Sequence, residues 1–457
     1  MGILLERVNG YDVISDEQRK EMEDYCSQYI DFMNAAKTER ECVVECIKLA
    51  EAKGFKPYVQ GMELKPGDKV YYNNRGKNID LAVIGKRPLS EGANIAAAHT
   101  DSPRLDFKPQ PLYEDEEMAY LKTHYYGGIK KFQWVTIPLE IHGMVCLKDG
   151  TNLYVKLGEG NEPKFVITDI LPHLGKSQAS KTMSEAIPGE NLNLLIGSEP
   201  VKDKEAKQRF KQHVMEILNE KYGIIEEDLM SAELQAVPAF DATEIGFDGS
   251  LIGAYGHDDR VCAFAELKAL LDMEEIPDRT AVCIFADKEE VGSMGITGMI
   301  SQAFEHFMNS LCKSQGVDLY DCFSQSFCLS ADVTAALDPI FMEVFEKNNE
   351  SRINHGIAIC KYTGGRGKGG ASDANAETVA YIRKIFSDNG VLWQLSEMGK
   401  IDEGGGGTVA LDMANRNIET IDAGVPVLSM HAPFEVVSKL DCYMTYKGCK
   451  AVFEARK

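Results

Sequence analysis

The sequence predicts an α/β protein: a mostly parallel β-sheet sandwiched by helices, interrupted by an inserted, largely β domain. Three observations carry that prediction. The chain is 457 residues long, beyond the size at which a single hydrophobic core usually stops growing, so about two domains are expected. From Leu251 onward, short continuously apolar runs alternate with helical patterns, as in a sheet covered on both faces. Between residues 107 and 244 the texture is instead that of alternating strands. The expected domains are 1–106 together with 245–457, and the insert 107–244.

The elements follow in order. "SDEQRKEMEDYCSQYIDFMNAA" and "TERECVVECIKLAEAKG" carry apolar residues at three- and four-residue spacing and read as helices. Ser15 and Thr38 fit as their N-caps, and Gly54 as a C-terminal stop. "KVYYNN", "NIDLAVIG" and "GANIAAAH" read as short strands. In the insert, "HGMVCLKDGTNLYVKLG" alternates around Asp149-Gly150, a hairpin signal. "EPKFVITDILPHL" reads as a further strand and "KDKEAKQRFKQHVMEILNEKYG" as a helix. Beyond Leu251, "DDRVCAFAELKALLDM" and "DANAETVAYIRKIFSDNG" read as helices, and "TAVCIFA", "SFCLSA", "GIAICKY" and "VPVLSM" as strands.

A formal net charge of −22 argues against nucleic acid or an anionic membrane as partner, since both would be repelled. No apolar run approaches the ~20 residues that span a bilayer. The start, "MGILLERVNG", has too short an apolar core for a signal peptide, and Glu6 spoils a myristoylation pattern. Twelve scattered cysteines, without a CxxC pair, read as buried reduced thiols. A cytoplasmic protein is expected.

In open parallel sheets, ligands gather at the carboxyl ends of strands. Here "NIAAAHTD" ends in His99 and Asp101, and "LIGAYGHDD" runs into Asp258 and Asp259. "AVCIFADKEE" ends in Glu289 and Glu290, "FCLSAD" in Asp332 and "VPVLSMH" in His431. One such residue is ordinarily an exposed histidine or a helix N-cap. Five apolar runs ending in His, Asp or Glu point to a shared site. Two neutral imidazoles, His99 and His431, with three carboxylates, Asp258, Glu290 and Asp332, supply −3 against the +4 of two divalent ions, and a bridging hydroxide balances the rest. Mixed nitrogen and carboxylate ligands suit zinc, cobalt or manganese better than calcium. Two metals about 3.5–4 Å apart serve hydrolysis by polarising a carbonyl and holding a hydroxide. Asp258 is the expected bridge. Adjacent residues face different ways, so Glu290 ligates while Glu289 moves the proton of the attacking water. Asp101 holds the His99 imidazole in its tautomer.

These residues lie in "AAHTDSPRLDFKP", "GHDDRVCAFAEL", "FADKEEVGSMG", "LSADVTAALDP" and "LSMHAPFEVVSKLD". With "YGGIKKFQWVTIPLEIHG" and "DILPHLG", they resemble in order and spacing the aspartyl-aminopeptidase family of two-metal exopeptidases, from about residue 15 onward. The resemblance implies the same ligands, with Glu289 as base and Asp101 as orienting residue. It implies a catalytic domain of the zinc-exopeptidase type, interrupted by a dimerisation domain, and a homo-oligomeric shell, a dodecamer built from dimers. His173 in "LPHL" matches a histidine that completes a neighbouring subunit's site in relatives; an ordinary loop histidine is the other reading. Lys361, with Arg366 and Lys368 as further candidates, would face an acidic substrate side chain. Two stretches depart from the family. "DDR" replaces a leucine-asparagine type continuation after the bridging aspartate, and "YTGGRGKGGASDANAE" stands where relatives carry a glutamine-arginine-tyrosine segment.

Residues 365–370, "GRGKGG", formally fit a dinucleotide fingerprint, with Glu397 as ribose contact, but a lone match is weak and Lys368-Gly is no Walker A. "EGGGGT" reads as backbone closely approaching a substrate or as a turn into the following helix. An amidohydrolase acting on N-acyl amino acids would use the same metal site, and a catalytically dead shell protein would not retain every ligand. The reading is a metallo-aminopeptidase acting on short peptides, with a preference for acidic N-termini.

Overall fold

The computed structural model describes residues 3–456. They form two compact units. One comprises the residues up to Ser102, Ala242–Met430 and those from Phe434 onward; the other comprises Pro103–Asp241 with His431–Pro433. The divisions fall after Ser102 and Asp241 rather than at 106 and 244, and strand pairing explains the shift. Arg104, Leu105 and Asp106 already pair with Tyr126, Tyr125 and His124 in the second unit. Thr243–Ile245 pairs with Leu251, Ile252 and Gly253 in the first.

The first unit is built on a nine-stranded sheet. Its order is Lys56–Pro57, Lys69–Asn74, Asn78–Val83, Thr280–Ala286, Ala93–His99, Phe327–Ser330, Glu419–Gly424, Ile357–Cys360 and Trp393–Ser396. Five of the eight pairings are parallel. Side chains alternate across the pleat. Ala96, Ala98, Cys283 and Phe285 enter a core shared with helices Asp16–Ala35, Glu39–Ala52, His257–Leu271, Ala376–Asp388 and Lys439–Phe453. Ile95, Ala97, Val282 and Ile284 enter a second core under Ala303–Ser314, Leu319–Gln325 and Val409–Asn415. Both faces are thus covered, which is why these strands read as unbroken apolar runs.

Local signals start the first two helices. The Ser15 hydroxyl accepts from the Gln18 N–H at 3.1 Å while Gln18 Oε1 accepts from the Ser15 N–H at 3.0 Å. Thr38 and Glu41 repeat this capping box at 3.3 and 3.0 Å. Helix His257–Leu271 is buried at every position but Lys268, and so shows no polar face in sequence. Pro426–Leu428, within "VPVLSM", does not join the large sheet. It pairs with Glu435–Ser438 and Thr334–Ala335 in a separate five-stranded sheet.

The second unit holds six antiparallel strands, ordered Asn152–Leu157, Leu139–Cys146, Ala232–Pro238, Arg104–Asp115, Met118–Tyr126 and Leu194–Gly197. The Asp149-Gly150 hairpin forms, with Cys146 opposite Asn152. "EPKFVITD" makes no strand; only Phe165 and Val166 bridge, to Leu139 and Leu195. The helix expected from residue 202 begins at Arg209.

Among the described residues, no helix is long and apolar enough to cross a membrane. The twelve cysteines carry free thiols, all buried except Cys146.

Two stability predictions follow from this packing. Leu267, fully buried on the central helix, loses about 2–5 kcal/mol on truncation to alanine. Val44→Ser, at a side chain 63% exposed, stays within about 0.5 kcal/mol in the same denaturant titration. Asp80 is buried with neither carboxyl oxygen hydrogen-bonded. Burial, and then Glu305, pushes it up to about 8. The folded chain therefore binds its proton more tightly than the unfolded chain, and stability falls as pH rises from about 4 to about 8. Asp80→Asn should gain on wild type through that window and show no advantage near pH 4.

Candidate metal centre

Strand Ala93–His99 delivers His99 at its carboxyl end, where the imidazole is 1% exposed. Its Nδ1 lies 2.9 Å from the Asp101 backbone oxygen and 3.3 Å from Asp101 Oδ1. A proton held there leaves the lone pair on Nε2, which faces Asp258 Oδ1 at 3.2 Å and Glu289 Oε2 at 3.8 Å. Asp101 itself is buried and reaches the neighbouring strand's turn. Its Oδ1 accepts from the Glu289 N–H at 3.1 Å and its Oδ2 from the Glu290 N–H at 3.2 Å.

The turn follows strand Thr280–Ala286. Lys288 and Gly292, at φ 70° and 95°, bracket the short helical turn Glu289–Val291. Asp287 anchors its base, accepting from Thr297 Oγ1 at 2.6 Å. This reversal separates the two glutamates. Glu289 faces His99, while a Glu290 oxygen falls within 4.8 Å of ligand atoms of both His99 and Asp258.

Asp258 and Asp259 open helix His257–Leu271 with non-helical dihedrals and a cis peptide between them. The Asp258 N–H donates to Glu435 Oε2 at 3.1 Å, and Ser102 Oγ donates to its carbonyl at 2.7 Å. Asp259 Oδ2 accepts the His99 N–H at 3.3 Å, while Oδ1 is buried without a hydrogen-bond partner. A second set of ligand atoms, from His99, Asp259 and Asp332, also lies within 4.8 Å. Sequence reasoning assigns a ligand role at this turn to Asp258 alone and passes over Asp259. The paired "DD" was the available signal.

Electrostatically the group is an excess of carboxylates in an apolar frame. Burial pushes Asp259 and Asp332 well above the usual carboxylate range; the charge of Asp258 adds to it at Asp259, and that of Asp259 at Asp332. Burial disfavours the His99 cation, but hydrogen bonds to Asp101 and Asp258 outweigh it and raise the imidazole. A buried imidazole, four convergent carboxylates and an orphaned carboxylate oxygen fit divalent cations that accept nitrogen and oxygen ligands.

His431, His173 and Lys361 belong to neither set of ligand atoms. His431 groups with the second unit, where its Nδ1 is 2.9 Å from the Gly128 carbonyl oxygen. His173 is exposed on the turn Pro172–Leu174 of that unit. Lys361 follows strand Ile357–Cys360 and its ammonium sits on Asp373, which also takes Lys368 at 2.8 Å. The glycines of the neighbouring loop serve a backbone contact. A Cβ on Gly405 would lie 2.2 Å from the Gly364 oxygen and 2.6 Å from Gly365 Cα. Residues 371–375 separate that loop from helix Ala376–Asp388. A dinucleotide fingerprint would open directly into a helix, so that reading lapses.

A family model described as aminopeptidase I zinc metalloprotease (M18) matches residues 32–453. A probable M18 family aminopeptidase 1 from Clostridium acetobutylicum is 49% identical over 458 residues, covering 98% of each chain. The crystal structure of an M18-family aminopeptidase from Thermotoga maritima is similar at a TM-score of 0.94 and 43% identity, over 99% of this chain and 100% of that one. That of aminopeptidase I from C. acetobutylicum is similar at 0.93 and 47%, with the same coverage.

Asp101→Asn would turn an amide donor toward the Glu289 or Glu290 N–H. Zinc affinity, measured by competition with a chromophoric chelator, should fall about 10–100-fold. An unchanged affinity would mean that Asp101 does not orient the centre.

Proposed function

The chain belongs to the aminopeptidase I zinc metalloprotease (M18) family, and from that premise we propose that it cleaves the N-terminal residue from short peptides using two divalent ions. His99, Asp258, Glu290, Asp332 and His431 would hold them, with zinc as the metal. The observation that carries this reading is the convergence of two ligand sets on His99, with Glu289 Oε2 3.8 Å from the same imidazole. When bound, the ions polarise the scissile carbonyl and bring the pKa of a water to near neutrality.

The chain's own residues do the rest. Asp101 fixes the His99 ring and the turn that carries both glutamates. Glu289 takes the proton of the attacking water and gives it to the departing amine. Lys361 and Lys368 both pair with Asp373 and stand together on the loop that follows strand Ile357–Cys360. That supports a preference for Asp or Glu at the substrate N-terminus, with Lys361 as the contact. His173, exposed on its turn, would enter the site of a neighbouring subunit in a dodecamer built from dimers.

Aminoacyl p-nitroanilides test the reading. Activity should vanish on chelation and return with zinc, highest for Asp and Glu. Hydrolysis of N-acyl amino acids instead would make the protein a deacylase. Glu289→Gln should retain its zinc and lose about 10²–10⁴ in kcat; a variant keeping a tenth of the rate would remove Glu289 from the proton path. Light scattering should give a particle of twelve 50.6 kDa chains.

A further inference from the structure

Helix Arg209–Tyr222 lies across the sheet of the second unit, yet none of its residues is buried. Its pattern is amphipathic: Val214, Ile217, Leu218 and Tyr222 recur at helical spacing along one side. An apolar stripe of this kind ordinarily closes onto the sheet beneath it. Here the stripe lines a cavity of about 390 Å³ instead. The floor is the inner face of the sheet, including Leu121, Ile141 and Val155. These floor side chains are shielded from solvent, at 8%, 1% and 1% exposure. An empty space lined by carbon forfeits dispersion contacts on every wall. Its aliphatic and aromatic walls offer water no hydrogen-bond partner.

The mouth carries the only charges of the lining, Glu162 and Lys221, and they satisfy each other at 2.7 Å. Glu162 also accepts the Gly158 N–H at 3.1 Å. A charged ligand group entering here would have to break that pair, whereas an uncharged one passes beneath it. The volume lies within the ~300–1,000 Å³ typical of small-molecule sites. At ~30 Å³ per heavy atom, water's share of its liquid, it admits on the order of a dozen heavy atoms.

We propose that the second unit binds an uncharged, largely hydrocarbon small molecule between helix Arg209–Tyr222 and the sheet. The guest completes the packing of the helix and fixes it in place.

The test uses the full chain, with 1-decanol as ligand and N-phenyl-1-naphthylamine as fluorescent reporter. The reporter should bind saturably, one per chain, and be displaced by 1-decanol but not by decylamine. Decanol should slow amide hydrogen exchange across residues 209–222 at least tenfold. Val214→Trp and Leu218→Trp, which fill the space, should each weaken reporter binding at least tenfold without changing zinc content or peptidase rate. If the tryptophan variants fail to fold, Val214→Phe and the exchange measurement on wild type decide. Absence of saturable binding, unweakened binding in the filled variants, or unaltered exchange in the helix would each overturn the proposal.

Discussion

Negative charge buried against an apolar sheet is the constraint on which this molecule's active architecture rests. Asp101, Asp258, Asp259 and Asp332 are all at most 7% exposed. Removing a carboxylate from water costs several kcal/mol unless hydrogen bonds and counter-charge replace the solvent. Much of the local chain path is arranged to supply the hydrogen bonds. Asp101 accepts two N–H groups from the glutamate turn, Asp259 accepts that of His99, and Glu435 accepts that of Asp258. The Asp101 and Asp259 carboxylates are thus seated on the backbone of other residues of the centre, which position one another. What the backbone does not provide is positive charge, and zinc of the family's kind supplies it. Metal binding and stability are consequently coupled in this unit.

The sheet gives that cluster its rigidity, and much of the sheet was legible. Strands buried on both faces announce themselves as unbroken runs such as "TAVCIFA" and "SFCLSA", and both capping boxes are written in the sequence. Direction and partnership were not legible. Glu419–Gly424, with Asp422 inside it, does not look like a central strand, yet it joins the parallel set to Ile357–Cys360, which runs the other way. Arg104–Asp115 hides behind Pro109 and Pro111, which the structure absorbs at a register shift between Phe107 and Leu112. "EPKFVITD" has strand composition but finds only isolated bridges, since neighbours rather than propensity decide pairing.

The centre was legible for a different reason. Parallel strands place their carboxyl ends along one edge, so His99, the Glu289–Glu290 turn and Asp332 could be associated from topology before any geometry was known. Roles that depend on dihedral detail escaped. Nothing in "GHDDR" says that the chain kinks at the two aspartates, bringing Asp259 back beneath the His99 N–H. In the glycine-rich loops, the close approach that needs glycine is between two stretches of the same backbone, at Gly364 and Gly405.

The interruption of the first unit has a consequence for biosynthesis. Strand Ala93–His99 leaves the ribosome early, but its neighbour Thr280–Ala286 lies roughly 190 residues downstream, so about ten to forty seconds of elongation separate the two. All six strands of the second unit find their partners between Arg104 and Pro238. That unit's sheet is therefore complete while the nine-stranded sheet of the first unit still waits for its central strands. Strand Ala93–His99, alanine-rich and uncharged, spends that interval without either of its sheet neighbours, which is the period in which a chaperone has most to protect.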